Sequence, residues 1–222
     1  VEEIGAPQGT TFLVRNLFYN TPARAKFLKS PATEGSYIGS IMEQMALSHP
    51  EISFKYMQNG QTKLHTSGNG NFKEVIYQIY GRDITKELLE IDMAGDGIRI
   101  TGFIGKPSIS RGNRTFENYY VNGRYVKNKM ITKAIEDGYR SFMMQHKFPF
   151  TSLFITVNSE NVDVNVHPSK MEVRFEKTDL VYQTLYRAIC DALTEKELIP
   201  EVSFTPKKDR VKEPSRPSVP EP

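Results

Sequence analysis

The stretch F-E-N-Y-Y-V-N-G-R-Y-V, from Phe116 to Val126, indicates two short β-strands joined by a tight turn. Asn122 and Gly123 separate the two apolar runs, and both residues tolerate the positive φ angles that a two-residue hairpin turn requires. Two more strands precede this hairpin, at 88–93 and 98–104. The simplest arrangement of these four strands is a meander, in which each strand pairs with the next one along the chain.

The rest of the chain mixes helices with further strands. Apolar residues at helical spacing predict helices over 36–47, 72–80, 131–142 and 178–193, and extended runs predict strands over 9–15, 52–57, 62–66, 152–157 and 162–166. Asn59 and Gly60 predict a second hairpin turn, and Gly81 is placed to cap the helix before it. Because strict βαβ alternation is missing, we expect an α+β fold with a boundary near Gly81.

Composition excludes several classes of protein. The 222 residues are 38% hydrophobic and 25% charged, which is typical of a globular protein. One cysteine cannot form an internal disulfide, and the four histidines have no metal-ligand spacing, so we expect no metal site within the chain. No run approaches the roughly 20 apolar residues of a membrane helix, and no secretory leader opens the chain. We therefore expect an intracellular, cytoplasmic protein with no membrane partner, and a Pro-rich charged linker over 201–222.

The basic residues cluster between Lys106 and Lys133. Seven lysines and arginines in this stretch face one acid, Glu117, although the whole chain has a net charge of only +3. Such a cluster can neutralise DNA phosphates without reading sequence. A solvated surface with no ligand explains the charges equally well from composition alone, and the interleaved tyrosines are typical of sheet residues.

Three motifs together carry a resemblance to a known family. They are L-F-Y-N-T-P-A-R-A-K-F-L at 17–28, following a G-T strand; V-N-G-R at 121–124; and D-V-N-V-H-P-S-K-M-E-V-R-F at 163–175. Their order and spacing resemble those of the MutL family of DNA mismatch-repair proteins, in wording closest to the bacterial members. The resemblance covers residues 9–198. The transducer part of type II topoisomerases has a similar architecture but no N-T-P-A-R loop.

The resemblance implies a fold and a nucleotide site. It implies that 1–80 is the C-terminal portion of a GHKL-type α/β sandwich, and that 81–200 is a second, ribosomal-protein-like α+β domain that binds DNA. Lys170 would contact the terminal phosphate of ATP as the catalytic lysine, and Gly9 and Thr10 would line the ATP pocket. The general base, the Mg²⁺-binding asparagine and the adenine motif of the family would all precede Val1. We therefore expect ATP and Mg²⁺ to bind the full-length protein, and this chain alone to be inactive and to bind neither tightly.

The function implied by the resemblance is that of an ATP-driven matchmaker in mismatch repair. The full-length protein would be a weak ATPase that dimerises, binds double- or single-stranded DNA through Arg124, Lys127 and Lys129, and couples a MutS-family partner to repair enzymes. Such a protein would be associated with the bacterial nucleoid. The alternative is a non-enzymatic nucleic-acid-binding module in which the basic cluster acts without nucleotide.

Overall fold

The computed structural model describes residues 8–163 and 171–197, which form a mixed α+β fold as predicted. The helices are α1 (Pro22–Ala25), α2 (Pro31–Ser48), α3 (Phe72–Tyr80), α4 (Arg82–Thr85), α5 (Lys129–Tyr139) and α6 (Thr178–Glu197). The strands are β1 (Lys55–Gln58), β2 (Gln61–His65), β3 (Leu88–Gly95), β4 (Ile98–Gly105), β5 (Glu117–Val121), β6 (Arg124–Tyr125), β7 (Thr151–Val157), β8 (Val162–Asp163) and β9 (Arg174–Phe175). Within these described residues, every helix is too short or too polar to span a lipid bilayer.

The central five-stranded sheet has the order β3-β4-β7-β5-β6. The predicted meander is therefore wrong, because β7 lies between β4 and β5. It runs antiparallel to β4 and parallel to β5, with Val121 opposite Ile155. Parallel neighbours need a long crossover connection, and the segment containing α5 supplies it. The apolar residues Leu153 and Ile155 of β7 are fully buried, which suits the central position.

Asn122 fastens the hairpin turn to the end of β7. It lies at φ 47° and Gly123 at φ 78°, as the predicted two-residue turn requires. The Asn122 side chain donates to the carbonyl of Val157 and accepts from the Val157 N–H, each at 3.0 Å. This paired contact holds the β5–β6 turn, and hence Arg124, at a fixed place on the sheet.

The sheet buries both of its faces. Side chains alternate along a strand, so Tyr119 and Val121 of β5 pack with α5 and α6, whereas Tyr120 packs on the opposite face with Leu47 of α2 and Ile76 of α3. The second of these clusters joins residues from both sides of Gly81. The segments before and after the predicted boundary therefore share one apolar core.

The local predictions for the first eighty residues are largely confirmed. The hairpin β1–β2 turns at Asn59 and Gly60, and α3 ends at Gly81 with φ 81°. The predicted strand over 9–15 is wrong: this segment belongs to no sheet, and Phe12 is 87% exposed. A strand needs partners for its N–H and C=O groups, and none of the described residues pairs with it. Of the strand predicted over 162–166, the described part forms β8, and 164–166 lie outside the described residues.

We expect Asn122→Ala to destabilise the protein more than Asn59→Ala does. Both asparagines occupy a left-handed turn position, so alanine carries the same backbone strain at each. Only Asn122 also loses two hydrogen bonds, which adds about 1–3 kcal/mol to its effect on the free energy of unfolding. Urea unfolding of the two variants measures the difference. Equal losses of stability would contradict the role assigned to the Asn122 side chain.

Candidate nucleic-acid interface

A cleft of about 830 Å³ lies between α2, the end of α3, strands β5 and β6, and the start of α5. It is bounded on the helical side by Ser40, Glu43 and Gln44 of α2. The side chains around it are both charged and aromatic. The remaining lining residues are Tyr80, Arg114, Thr115, Phe116, Glu117, Asn118, Tyr119, Tyr125, Val126, Lys127, Asn128, Lys129, Thr132, Lys133, Glu136 and Glu172.

Asn128 and Tyr119 fix the start of α5 at the edge of this cleft. The Asn128 side chain caps the helix by accepting from the N–H groups of Met130 and Ile131, at 2.9 and 3.2 Å, and donates to the carbonyl of Val173 at 2.8 Å. The Tyr119 hydroxyl accepts from the Asn128 N–H at 2.8 Å and donates to the Asn128 carbonyl at 3.1 Å. These bonds fix the backbone between Lys127 and Lys129.

Four exposed cations lie between residues 124 and 133, and we call them the basic row: Arg124, Lys127, Lys129 and Lys133. Arg124 lies on β6, Lys127 precedes the cap, and Lys129 and Lys133 lie one helical turn apart on α5. Among the described residues none of the four is paired with an acid. The row therefore presents positive charge to solvent beside the positive end of the helix dipole.

Two other residues of the sequence cluster are neutralised by the fold. Lys106 pairs with Glu87 at 3.2 Å, and Arg114 pairs with Glu136 of α5. The Arg114 guanidinium also lies over the ring of Phe148, 4.4 Å from its centre, while Arg111 lies over Phe116 at 5.0 Å. The local excess of positive charge is thus smaller than the sequence indicates, because Glu87 and Glu136 lie outside the cluster in sequence but pair with its cations in the fold.

Glu117 is a buried acid that lies at the start of β5. It lines the cleft, is 7% exposed, and its Oε1 atom has no partner among the described residues. Burial raises the pKa of its carboxyl to about 8, and the charge of Glu136 adds to this, whereas Arg114 acts in the opposite direction. Near neutral pH this carboxyl is therefore mainly protonated and can both donate and accept a hydrogen bond.

The predicted site residues do not all come together. Arg124, Lys127 and Lys129 lie on one segment, as expected for a single surface. Gly9 and Thr10 lie in the exposed segment before α1. Lys170 lies outside the described residues. The chain resumes at Met171, whose carbonyl accepts from the Lys127 N–H at 2.7 Å. The described residues contain no group of side chains suited to hold a metal ion.

Sequence reasoning missed Asn128 and the burial of Glu117. Asn128 directly precedes an amphipathic helix, and asparagine is a favoured N-cap residue, so this cap could have been predicted from the sequence. The burial of Glu117 could not have been predicted, because it depends on how other segments of the chain pack around the start of β5 and no local sequence pattern contains that packing.

We expect Glu117 to make the stability of the protein depend on pH. Its pKa is about 8 in the folded state and near 4.5 when exposed, so between these values the folded state holds a proton that the unfolded state has released. The contribution of Glu117 to the free energy of unfolding is therefore largest at low pH and falls as the pH rises towards 8. From about pH 5.5 to about pH 8.5, the free energy of unfolding should fall by up to about 3 kcal/mol relative to that of Glu117→Gln. Urea unfolding of both proteins at each pH tests this, and a constant difference would contradict it.

The sequence of this chain is similar to those of known DNA mismatch repair proteins. The family model for the C-terminal domain of DNA mismatch repair proteins matches residues 76–194. The DNA mismatch repair protein MutL of Agathobacter rectalis is 55% identical over 223 residues, covering the whole of this chain and 34% of that protein. MutL of Thermoanaerobacter pseudethanolicus is 37% identical, covering 92% of this chain and 33% of that protein. This chain spans about a third of the length of the curated relatives it matches.

Solved structures agree on the fold. The N-terminal domain of a DNA repair protein superposes with a TM-score of 0.67 at 22% identity, covering 82% of this chain and 60% of that one. The ATPase domain of Aquifex aeolicus MutL, solved with ADP, superposes with a TM-score of 0.51 at 20% identity, covering 78% and 55%. These structures support the α+β fold, while the family model covers more than half of the residues. The chain accordingly belongs to the MutL family of DNA mismatch-repair proteins.

Proposed function

We propose that this chain supplies the DNA-binding surface of an ATP-dependent mismatch-repair protein. The observation that carries the proposal is the basic row, four exposed cations with no acid partner in the described part of the chain. Two lysines beside a helix N-terminus oppose the helix dipole and so do not favour folding. A ligand that carries negative charge compensates for that cost, and the DNA backbone is such a ligand.

The chemistry of the row fits contact with phosphates and not recognition of sequence. Three of its four members are lysines, compact point charges without the rigid fork with which arginine reads guanine. Lysine contacts to phosphate position a protein on DNA without selecting bases. A surface of this kind suits a protein that must act wherever a mismatch occurs.

The nucleotide part of the proposal is that ATP and Mg²⁺ bind the complete protein. Gly9 and Thr10 would line the pocket, and Lys170 would neutralise charge on the terminal phosphate during hydrolysis. The similar ATPase domain from Aquifex aeolicus was solved with ADP, which supports a nucleotide site in the family. Met171, the first described residue after Lys170, bonds to Lys127 of the basic row. One peptide bond, from Lys170 to Met171, and this hydrogen bond therefore link the lysine to the DNA-binding surface.

The complete protein would act as a homodimeric matchmaker between a MutS-family protein and downstream repair enzymes, in the bacterial cytoplasm at the nucleoid. Within it we propose the division 1–80, 81–200 and 201–222, which the start of the family model at residue 76 supports. This chain alone would be inactive as an ATPase. A non-enzymatic nucleic-acid module is the second candidate, since the basic row lies on one segment and needs no nucleotide to form.

We expect Lys127→Glu with Lys129→Glu to weaken binding of the complete protein to a DNA duplex and to flatten its salt dependence. Each lost phosphate contact removes about 0.9 from the slope of log K against log salt, so the slope should fall by about 2. Fluorescence anisotropy at several salt concentrations measures both effects.

The matched control is Lys55→Glu with Lys63→Glu on the β1–β2 hairpin. These exposed lysines change the net charge by the same amount and do not line the cleft. Their slope should stay that of the wild type. If both double variants lose the same slope, the effect comes from net charge and the basic row is not the interface.

We expect Lys170→Ala in the complete protein to lower ATP hydrolysis while DNA binding in the absence of nucleotide stays the same. The reason is that the lysine would act on the phosphate and not on the DNA. Steady-state release of inorganic phosphate measures the change. Unchanged turnover would remove Lys170 from the mechanism, whereas a complete wild-type protein that hydrolyses no ATP would favour the non-enzymatic module.

A further inference from the structure

The cleft beside the basic row is lined by acids as well as cations. Glu117 is protonated near neutral pH, and burial also raises the pKa of Glu43 on α2. Glu136 is paired with Arg114. Of the acids lining the cleft, Glu43 and Glu172 have no cation paired to them among the described residues. The exposed cations of the basic row thus lie at the rim, and the inside is polar.

The cleft walls carry aromatic side chains. The ring of Tyr80 packs edge-on against Phe116, with centres 5.0 Å apart, and its hydroxyl accepts from Asn118 at 2.9 Å. Tyr125 is partly exposed on the β6 side. Flat apolar faces next to polar groups suit a planar heteroaromatic ring. The volume of about 830 Å³ lies within the roughly 300–1,000 Å³ of small-molecule sites, so one nucleotide fits.

Glu117 provides the feature that identifies the ligand class. Its side chain is more than nine-tenths buried, lines the cleft, and leaves Oε1 unpartnered within the described residues. An unsatisfied buried polar group is costly, and a ligand that bonds to it recovers that cost. A neutral carboxyl offers one donor beside one acceptor. Each of the four bases offers a complementary donor and acceptor on its pairing edge, so such a contact would not select among them.

We propose that the cleft receives one unstacked DNA base, whose pairing edge bonds to Glu117 while the flanking phosphates lie on Lys127, Lys129 and Lys133. The inference rests on the proposed DNA-binding function, and it deepens that function by naming an unpaired nucleotide as the preferred ligand. A base inside a duplex cannot enter, because its pairing edge is occupied and its faces are stacked. For a base that is left unpaired, most of the free-energy cost of unpairing and unstacking is absent.

The experiment compares three labelled probes for binding to the complete protein by fluorescence anisotropy. They are a perfect duplex, the same duplex with one bulged base, and the same duplex with a bulged abasic sugar. The wild type should bind the bulged base more tightly than the abasic bulge by about 5- to 150-fold, the range that corresponds to stacking of one base. The two bulged probes have the same backbone charge, so phosphate contacts cancel in this ratio.

Two variants assign the preference to Glu117. Glu117→Leu keeps the volume but removes the polar contact, so the bulged-base and abasic probes should bind this variant about equally. Glu117→Gln keeps a donor and an acceptor, so it should retain most of the preference for the bulged base. The control is Glu90→Gln on the exposed face of β3. It removes one negative charge at a position that does not line the cleft, so it should keep the wild-type ratio. Thermal unfolding verifies that each variant is folded, and a 2-aminopurine bulge in the wild-type complex reports on unstacking independently of any variant.

The outcomes separate the two proposals. If the perfect duplex does not bind, the proposed DNA-binding function fails and the base pocket fails with it. If the duplex binds but the bulged and abasic probes bind equally, the basic row stands and the base pocket is wrong. The pocket is also wrong if Glu117→Leu keeps the wild-type ratio, or if the 2-aminopurine signal does not change on binding.

Discussion

The Tyr119 hydroxyl holds the start of α5 against the central sheet, and the orientation of the whole candidate interface depends on this contact. It bonds to both the N–H and the carbonyl of Asn128, at 2.8 and 3.1 Å. Asn128 in turn caps α5 and reaches the carbonyl of Val173. Strand β5, the start of α5 and the segment at Val173 are therefore fixed at one point, and Lys127 and Lys129 flank that point with little freedom of the backbone. Preorganised charges of this kind bind without an ordering cost in the main chain.

The same region contains features that oppose stability. Lys127 and Lys129 lie at the positive end of a helix, Lys129 and Lys133 repel each other across one turn, and Glu117 buries an Oε1 atom that has no hydrogen-bond partner among the described residues. Elsewhere the described structure has side-chain caps on α2 and α3 and an apolar core on both faces of the sheet, although the buried hydroxyls of Tyr120, Thr151 and Ser152 also have no hydrogen-bond partner among the described residues. Departures from local consistency that cluster at one surface are typical of functional sites. Their position beside the cleft supports the assignment of ligand binding to this edge of the fold.

The sequence predicted what short segments determine and missed what distant segments determine. Asn59 and Gly60 set their own turn, and the periodicity of 72–80 gave the bounds of α3, because both signals lie within a few residues. The order of the sheet depends on β7 pairing in parallel with β5 across a connection that contains α5, and no local signal contains that pairing. Gly9 to Arg15 has strand propensity, but a strand also requires a partner. Its residues are exposed in the described structure.

The candidate site shows the same division. Arg124, Lys127 and Lys129 were found because they are close in sequence and match family motifs, whereas the pairing of Arg114 with Glu136 and the burial of Glu117 follow from tertiary packing. Lys170, Gly9 and Thr10 remain predictions from the resemblance. Membership of the MutL family rests on a model that matches 76–194 and on relatives up to 55% identical.

Lysine footprinting of the complete protein tests the central claim most directly. Acetylation with and without a DNA duplex of about 20 base pairs, read by mass spectrometry, reports which ammonium groups the phosphates cover. The account predicts strong protection of Lys127, Lys129 and Lys133 and unchanged reactivity of the exposed Lys55, Lys63 and Lys73. Bound DNA that leaves the first three lysines fully reactive would contradict it.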